Sequence, residues 1–335
     1  MIGLDIAKNV FEVHGRDAAG EVVLRRSLKR GQVEKFFARL PRAVIGLEAC
    51  GSAHHWARVL GKLGHEVRLM PPVYVKPYVK RNKSDAIDAA ACCEAMSRPA
   101  MRFVPVKTTQ QQAALSLHRS RELLVRQRIQ LGNALRALLS EFGIVAGKGR
   151  AGITHLIEAL RGGTLDLPAD AEVAAAALAD QHTALGAAAD ALERQIVAQA
   201  KADPRARLLQ SAPGVGPLTA HAVLATMPDP SIFVRSRDFA AWLGLTPRLS
   251  GTGGKIHTGP ITKKGDHTLR RLLVLGATAW LRQVQARPDK ASPWLRGLLA
   301  RRPKKVVATA QAARTARILW AMLIHDQPYR ASAAG

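Results

Sequence analysis

Three stretches, MIGLDIA (1–7), NVFEVHG (9–15) and EVVLRRSL (21–28), decide how this chain folds. Each is a short run rich in Val, Ile, Leu and Phe, and DAAG (17–20) is a turn, so they read as consecutive strands joined by hairpins. QVEKFFARL (32–40) then switches to a helical period, and AVIGLEA (43–49) returns to a fourth strand. SAHHWARVLGKLG (52–64) is a helix ended by glycine, HEVRLM (65–70) a fifth strand, and PP (71–72) breaks the chain before a helical stretch containing SDAIDAAACCEAM (84–96).

Asp5 interrupts the first apolar run, where an unpaired carboxylate is costly unless it is exposed, paired or metal-bound. Hairpin-joined strands followed by strands alternating with helices build a mixed sheet covered by helices. That is the arrangement of the α/β RNase H-like (RuvC-like) fold, expected here over residues 1–107. In that order the first and fourth strands run side by side, which brings Glu48 beside Asp5. Asp85 and Asp88 share a helix face one turn apart, with Ser84 as a plausible N-cap. Singly, each acid also fits a helix-terminal charge or an exposed strand residue. Jointly, four carboxylates require a neutralising cation, and their hard oxygen donors select Mg²⁺ or Mn²⁺. A two-metal phosphodiester site fits that donor set.

The 335 residues suit two or three domains, and 47% hydrophobic content describes an ordinary globular chain. Fifty Lys and Arg face 25 Asp and Glu, a formal net charge of +25, which predicts attraction to a polyanion, with nucleic acid the leading partner. No apolar run approaches the roughly 20 residues that span a bilayer, and no basic-then-apolar leader precedes the first strand. The expectation is a cytoplasmic protein, nucleoid-associated when on DNA, with no membrane partner. Cys50, Cys92 and Cys93 include no CxxC pair and read as buried small hydrophobes.

Residues 108–204 carry a long helical pattern. Leu117, Leu124, Leu131 and Leu138 recur every seven residues, with Leu135 and Phe142 as a second row; after the break GIVAGKGRAG (143–152), Leu178, Leu185 and Leu192 keep the period beside Ala189 and Ile196. The stripes fit a coiled-coil seam, an antiparallel hairpin and a homo-oligomer (dimer or tetramer), or a plain helical bundle. Residues 205–335 open with LLQSAPGVGPLTAHAVLATM (208–227), whose Pro213, Gly214 and Gly216 suggest a helix-hairpin-helix or a tight helix turn without a ligand. A loop dense in Gly, Ser, Thr and Lys follows, within residues 239–281.

GLDIAK (3–8), GLEACG (46–51), RNKSDAIDAAA (81–91), PGVGPLTA (213–220), GLTPRLSGTGGK (244–255) and ITKKGDHTLRRLLVLGA (261–277) together closely resemble the DEDD transposases of the insertion sequence 110 family, in its 1111-like subgroup. The resemblance covers nearly the whole chain, in family order. It implies that Asp5, Glu48, Asp85 and Asp88 are the catalytic and metal-binding tetrad of a RuvC-like domain, and that residues 205–335 are the family's C-terminal transposase domain. It further implies a serine that attacks DNA to give a phosphoserine link, and a structured noncoding RNA bridging donor and target DNA.

The family loop usually reads Ser-Thr/Ser-Gly-Gly, whereas LSGTGGK (249–255) separates Ser250 from Thr252 by a glycine. Ser250 is the assignment, with Thr252 the alternative; the loop itself supplies no base. Lys255, Lys263, Lys264, Arg270 and Arg271 follow as candidate phosphate contacts that position without reading sequence. The leading function is a metal-dependent DNA transposase or recombinase with a serine nucleophile. A structure-selective nuclease of the Holliday-junction kind would need the acids without Ser250, and a binding module would need neither.

Overall fold

The structure, a computed structural model, describes residues 1–80, 84–227 and 229–330. Two compact units divide the chain, Met1–Thr109 and Gln110–Gly335.

The first unit is a five-stranded sheet in the order β3-β2-β1-β4-β5, formed by β1 (Ile2–Ile6), β2 (Val10–Arg16), β3 (Val22–Lys29), β4 (Val44–Glu48) and β5 (Glu66–Met70). The hairpin-joined strands pair antiparallel, whereas β4 lies parallel to both β1 and β5, so the sheet is mixed as the sequence predicts. Helices α1 (Val33–Phe37), α2 (Ala53–Lys62), α3 (Pro72–Val75) and α4 (Asp85–Met96) complete it. Strand alternation sends Leu4, Phe11, Val13, Ile45 and Leu47 to one face, where they pack with Phe37, Trp56 and Leu60. Gly3, Asp5, Gly46 and Glu48 therefore belong to the opposite face, which α4 covers.

Two glycines set how closely α4 can lie on that face. Gly3 and Gly46 are register partners in adjacent strands. A Cβ on Gly3 would meet the Ala89 carbonyl oxygen at 2.1 Å and the Cys93 nitrogen at 2.4 Å, and one on Gly46 would meet the Met96 sulfur at 2.9 Å. Cys92 and Cys93 are buried under α4 as expected. Cys50 departs from expectation: it is exposed, because it lies in the turn between β4 and α2, outside the apolar layers.

The second unit is almost entirely helical. Its long helices are α5 (Thr109–Ser140), which starts one residue before the unit boundary, and α7 (Ala169–Ala202), with α6 (Arg150–Arg161) between them. Arg121 donates to Glu193 at 2.9 Å, Gly186 faces Arg128, and Gly132 faces His182. Position 121 thus opposes 193, 128 opposes 186, and 132 opposes 182, the inverse spacing of an antiparallel pair. The buried seam keeps Leu135, Ala189 and Ile196 of the expected rows but not the leucines that recur every seven residues. It consists of Leu115, His118, Gly132, Leu135 and Leu139 on α5, against Ala175, Ala179, Gly186, Ala189, Ile196 and Ala200 on α7. Leu117, Leu124, Leu131, Leu138, Leu178, Leu185 and Leu192 are half-buried along its flanks, and Phe142 is exposed. Small residues occupy the seam because they let the two backbones approach, which leaves the bulkier leucines beside it. Helix α6 was hidden in the Gly-rich break; its Ile153, Leu156, Ile157 and Leu160 close over the helix ends.

His118 Nε2 and His221 Nδ1 lie 2.8 Å apart, and His221 Nε2 lies 2.9 Å from Gln199 Oε1, a buried chain joining α5, α7 and α9 (Pro217–Thr226). Burial first, then His221 and Arg121, press the His118 pKa down to about 4, so the pair is neutral at pH 7. His221 Nε2–H donates to Gln199 Oε1, so its Nδ1 accepts from His118 Nε2–H.

After α7 come α8 (Pro204–Leu209), α9, α10 (Ser236–Trp242), α11 (His267–Ala286), α12 (Pro293–Arg301) and α13 (Lys304–His325), packed around Leu209, Val223, Phe239, Leu273 and Leu319. The α8–α9 turn is held against α11: Gly214, at φ +77°, would place a Cβ 2.6 Å from the Gly276 carbonyl oxygen. Residues 247–261, expected as a loop, instead form a hairpin of β6 (Pro247–Thr252) and β7 (Lys255–Ile261). Gly253 and Gly254 at φ +56° and +78° supply the left-handed two-residue turn that a tight hairpin demands. Among the described residues, no helix is long and apolar enough to cross a membrane.

Gly3→Ala is expected to lower the stability of the first unit by about 1–3 kcal/mol, the range for overpacking a close contact. Gly31→Ala, at a position with open space around it, serves as the control in thermal melts.

Candidate active site

The first unit gathers its acids where β1, β4 and the start of α4 meet. Leu4 pairs with Leu47 in parallel register, so Asp5 and Glu48, one residue further on, leave neighbouring strands side by side. Ser84 caps α4 as predicted, its hydroxyl accepting the Ile87 N–H at 3.3 Å, and Asp85 and Asp88 fall in the first turn. Negative side chains are favoured there by the helix dipole. Arg81, Asn82 and Lys83 of the RNKSDAIDAAA motif lie outside the described residues.

The electrostatics tie the four acids together. Burial, then the charges of Asp85, Asp88 and Glu48, push the Asp5 carboxyl up to about 6, opposed by a hydrogen bond from the Ile6 backbone. Glu48 is raised by burial and by Asp88. The same carboxylates add to burial in raising the neighbouring Cys92 thiol, which stays neutral. Among the described residues no group of three or more His, Cys, Asp or Glu side chains is drawn close enough to hold a metal ion. The donors are nevertheless all hard carboxylate oxygens, and they share a charge repulsion that a divalent cation relieves.

In the second unit the hairpin orders what the sequence presented as a loop. Ser250 pairs with His257, and Thr252 with Lys255. Alternation puts Ser250 and Thr252 on one face, and directly opposed residues share a face, so an imidazole stands across from the Ser250 hydroxyl. His257 thus comes across from the second strand, and the two-residue Gly253-Gly254 turn is the signal that fixes this pairing. The hairpin is exposed along β6 and most of β7.

The basic candidates divide. Lys255, Lys263 and Lys264 are exposed. Arg270 donates to the carbonyls of Leu243 and Lys264 at 2.8 and 2.9 Å, bracing the chain on either side of the hairpin. Arg271 lies 3.3 Å from Glu122, which also accepts from Thr268.

A sheet bearing clustered carboxylates, in a strongly basic chain with a second, helical unit, defines a class of proteins built to act on polyanions. The family model described as "Transposase IS116/IS110/IS902 family" matches residues 206–292, and the DEDD transposase model of the IS110 group matches residues 2–144. The chain is 50% identical over 331 residues to a "Probable family 20 transposase" of Pseudomonas aeruginosa, covering 98% of each chain. It is 39% identical to the transposase for insertion sequence element IS1111A of Coxiella burnetii, covering 99% of this chain and 92% of that one. Against the transposase for insertion sequence element IS1328 of Yersinia enterocolitica, identity is 38%, over 96% and 95% of the two chains. The chain belongs to the IS110 family of insertion-sequence transposases, and is thus a DNA-processing enzyme.

Because the fold favours the protonated Asp5 carboxyl, this residue costs little below about pH 4 and destabilises the metal-free protein increasingly as pH rises through 6. Asp5→Asn is expected to raise stability at pH 7 by on the order of 1–2 kcal/mol, with the gain vanishing near pH 4. Denaturant unfolding at the two pH values measures the difference.

Proposed function

We propose that Asp5, Glu48, Asp85 and Asp88 form the DEDD metal and catalytic site of an RNase H-like domain. Ser250 is the nucleophile, cutting and rejoining DNA strands under the guidance of a noncoding bridge RNA. The observation that carries the acidic site is the placement of Asp5 and Glu48 side by side on adjacent strands, with Asp85 and Asp88 in the first turn of the helix that covers their face. Mg²⁺ or Mn²⁺ is the cation of choice for such a donor set, and when bound it supplies Lewis-acid polarisation of the scissile phosphate. Asp85 and Asp88 hold their side of the site from a capped helix start, and Asp5 and Glu48 hold theirs from adjacent strands. Ser250 Oγ attacks phosphorus, its proton passing to the His257 imidazole across the hairpin; as the Oγ–P bond forms, the P–O bond to the leaving deoxyribose oxygen breaks and that oxygen takes the proton back from the imidazolium, while Lys255, Lys263 and Lys264 hold flanking phosphates. A homo-oligomer, dimer or tetramer, supplies the protomers that two DNA partners require.

Asp5→Ala, Glu48→Ala, Asp85→Ala and Asp88→Ala are each expected to abolish recombination on the element's own ends while leaving DNA binding and fold intact. Wild-type-like activity in Asp5→Ala, Glu48→Ala or Asp88→Ala sinks the tetrad; activity in Asp85→Ala alone reduces it to a triad.

Ser250→Ala is expected to lose the covalent protein–DNA adduct, seen as a slow-migrating band after denaturation, and Thr252→Ala to keep it. The reverse result moves the nucleophile to Thr252. Cleavage without any adduct, even in the wild type, replaces the serine step with hydrolysis of the junction-nuclease kind.

A further inference from the structure

The sheet face that carries the acids continues past them onto β2 and β3, and its chemistry changes sign there. Asp5 is paired with Glu12, and the next row on the same face pairs Gly3 with His14 and His14 with Arg25. A cleft of about 290 Å³ opens at this row beside α4, lined by His14, Arg16, Arg25, Lys80, Tyr78 and Glu12. Glu94 also borders it, but is engaged by Arg98 at 2.6 Å.

Two groups in this cleft lack partners. His14 is only 7% exposed, and its Nε2 is buried without a hydrogen bond; the buried Nε of Arg16 is likewise unpartnered. A buried guanidinium N–H and a buried imidazole nitrogen left unsatisfied are each costly, and native structures rarely tolerate them without a ligand or an ordered water. A cleft that adds Arg25 and Lys80 to those groups, with Glu12 its one uncommitted acid among the described residues, has the charge to favour an anion with several acceptor oxygens over water alone.

We propose that this cleft is a subsite for one backbone phosphate of the DNA strand that crosses the acidic site. The assignment rests on the reading of the four acids as the cutting site. Arg16 Nε–H and His14 Nε2–H donate to the phosphate oxygens, and Arg25 and Lys80 complete the charge balance from the open side. The row of His14 lies two residues along the strands from the row of Asp5, roughly 7 Å at about 3.4 Å per residue. A phosphate held here fixes the strand's register over the acids.

The test uses full-length protein carrying Asp5→Asn, so that bound DNA stays uncut, and element-end duplexes with a neutral methylphosphonate at successive backbone positions. Fluorescence anisotropy is expected to find one position near the scissile phosphate where neutralisation weakens binding about tenfold, the scale of a lost charge-assisted contact. In the added presence of His14→Gln or of Arg25→Gln, an exposed position, the same neutralisation is expected to cost less than about twofold. A penalty unchanged in both variants, with melting curves showing them folded, overturns the assignment. So does a coupled phosphate found on the RNA backbone and none on DNA. Inorganic phosphate that shifts the His14 ring ¹⁵N resonances while no DNA position shows coupling marks an adventitious ion only. Should the Asp5→Asn protein still cut, the reading of the acids fails by itself, and the coupling between His14 and the phosphate is still measured.

Discussion

The contact between the backbone of α4 and the glycines of the sheet is the constraint on which the catalytic reading depends. Gly3 and Gly46 sit side by side in β1 and β4, and α4 occupies the volume in which their side chains would stand. Each lies two residues before an acid, Asp5 or Glu48, so both acids share the glycines' face. Ser84 fixes where α4 begins, and Asp85 and Asp88 follow in its first turn. A helix held one side-chain layer further out would carry those two carboxylates away from the other pair.

Electrostatics explain why so basic a chain keeps four acids together. With +25 overall, a local negative cluster gains from the field of the whole protein, yet burial first, and then the like charges at short range, raise Asp5 to about 6. On the same face the sign reverses within one row of the sheet, from Asp5 and Glu12 to His14 and Arg25. Acid beside base is the charge pattern that suits metal-assisted chemistry on a phosphate chain.

The second unit solves a different problem, that of joining long helices without bulky side chains between them. Ala175, Ala179, Gly186 and Ala189 make a narrow seam on α7, and the His118–His221–Gln199 chain supplies polar specificity at one end of it. Away from that seam, the exposed hairpin presents Ser250, Thr252, Lys255 and His257 on one face, held by its backbone ladder and its glycine turn and braced at its base by Arg270.

The alternation of MIGLDIA and NVFEVHG, the glycine stop after α2 and the Ser84 cap were all legible, because strand period, chain breaks and capping act over a few residues. Those local rules also placed Asp5 beside Glu48 once the strand order was known, and recognised the family from its motifs. The antiparallel pairing and Leu135, Ala189 and Ile196 were legible, but the leucines that recur every seven residues lie beside the seam, since such a period marks a helix face without saying whether leucine or alanine fills the closest approach. Tertiary packing decided that, through Gly132 against His182 and Gly186 against Arg128. The Gly253-Gly254 turn was visible as composition, but its consequence, His257 opposite Ser250, arises only when two strands pair. The unsatisfied nitrogens of His14 and Arg16 likewise exist only once α4 has closed over β2, because burial is a property of the assembled layers and of no single segment.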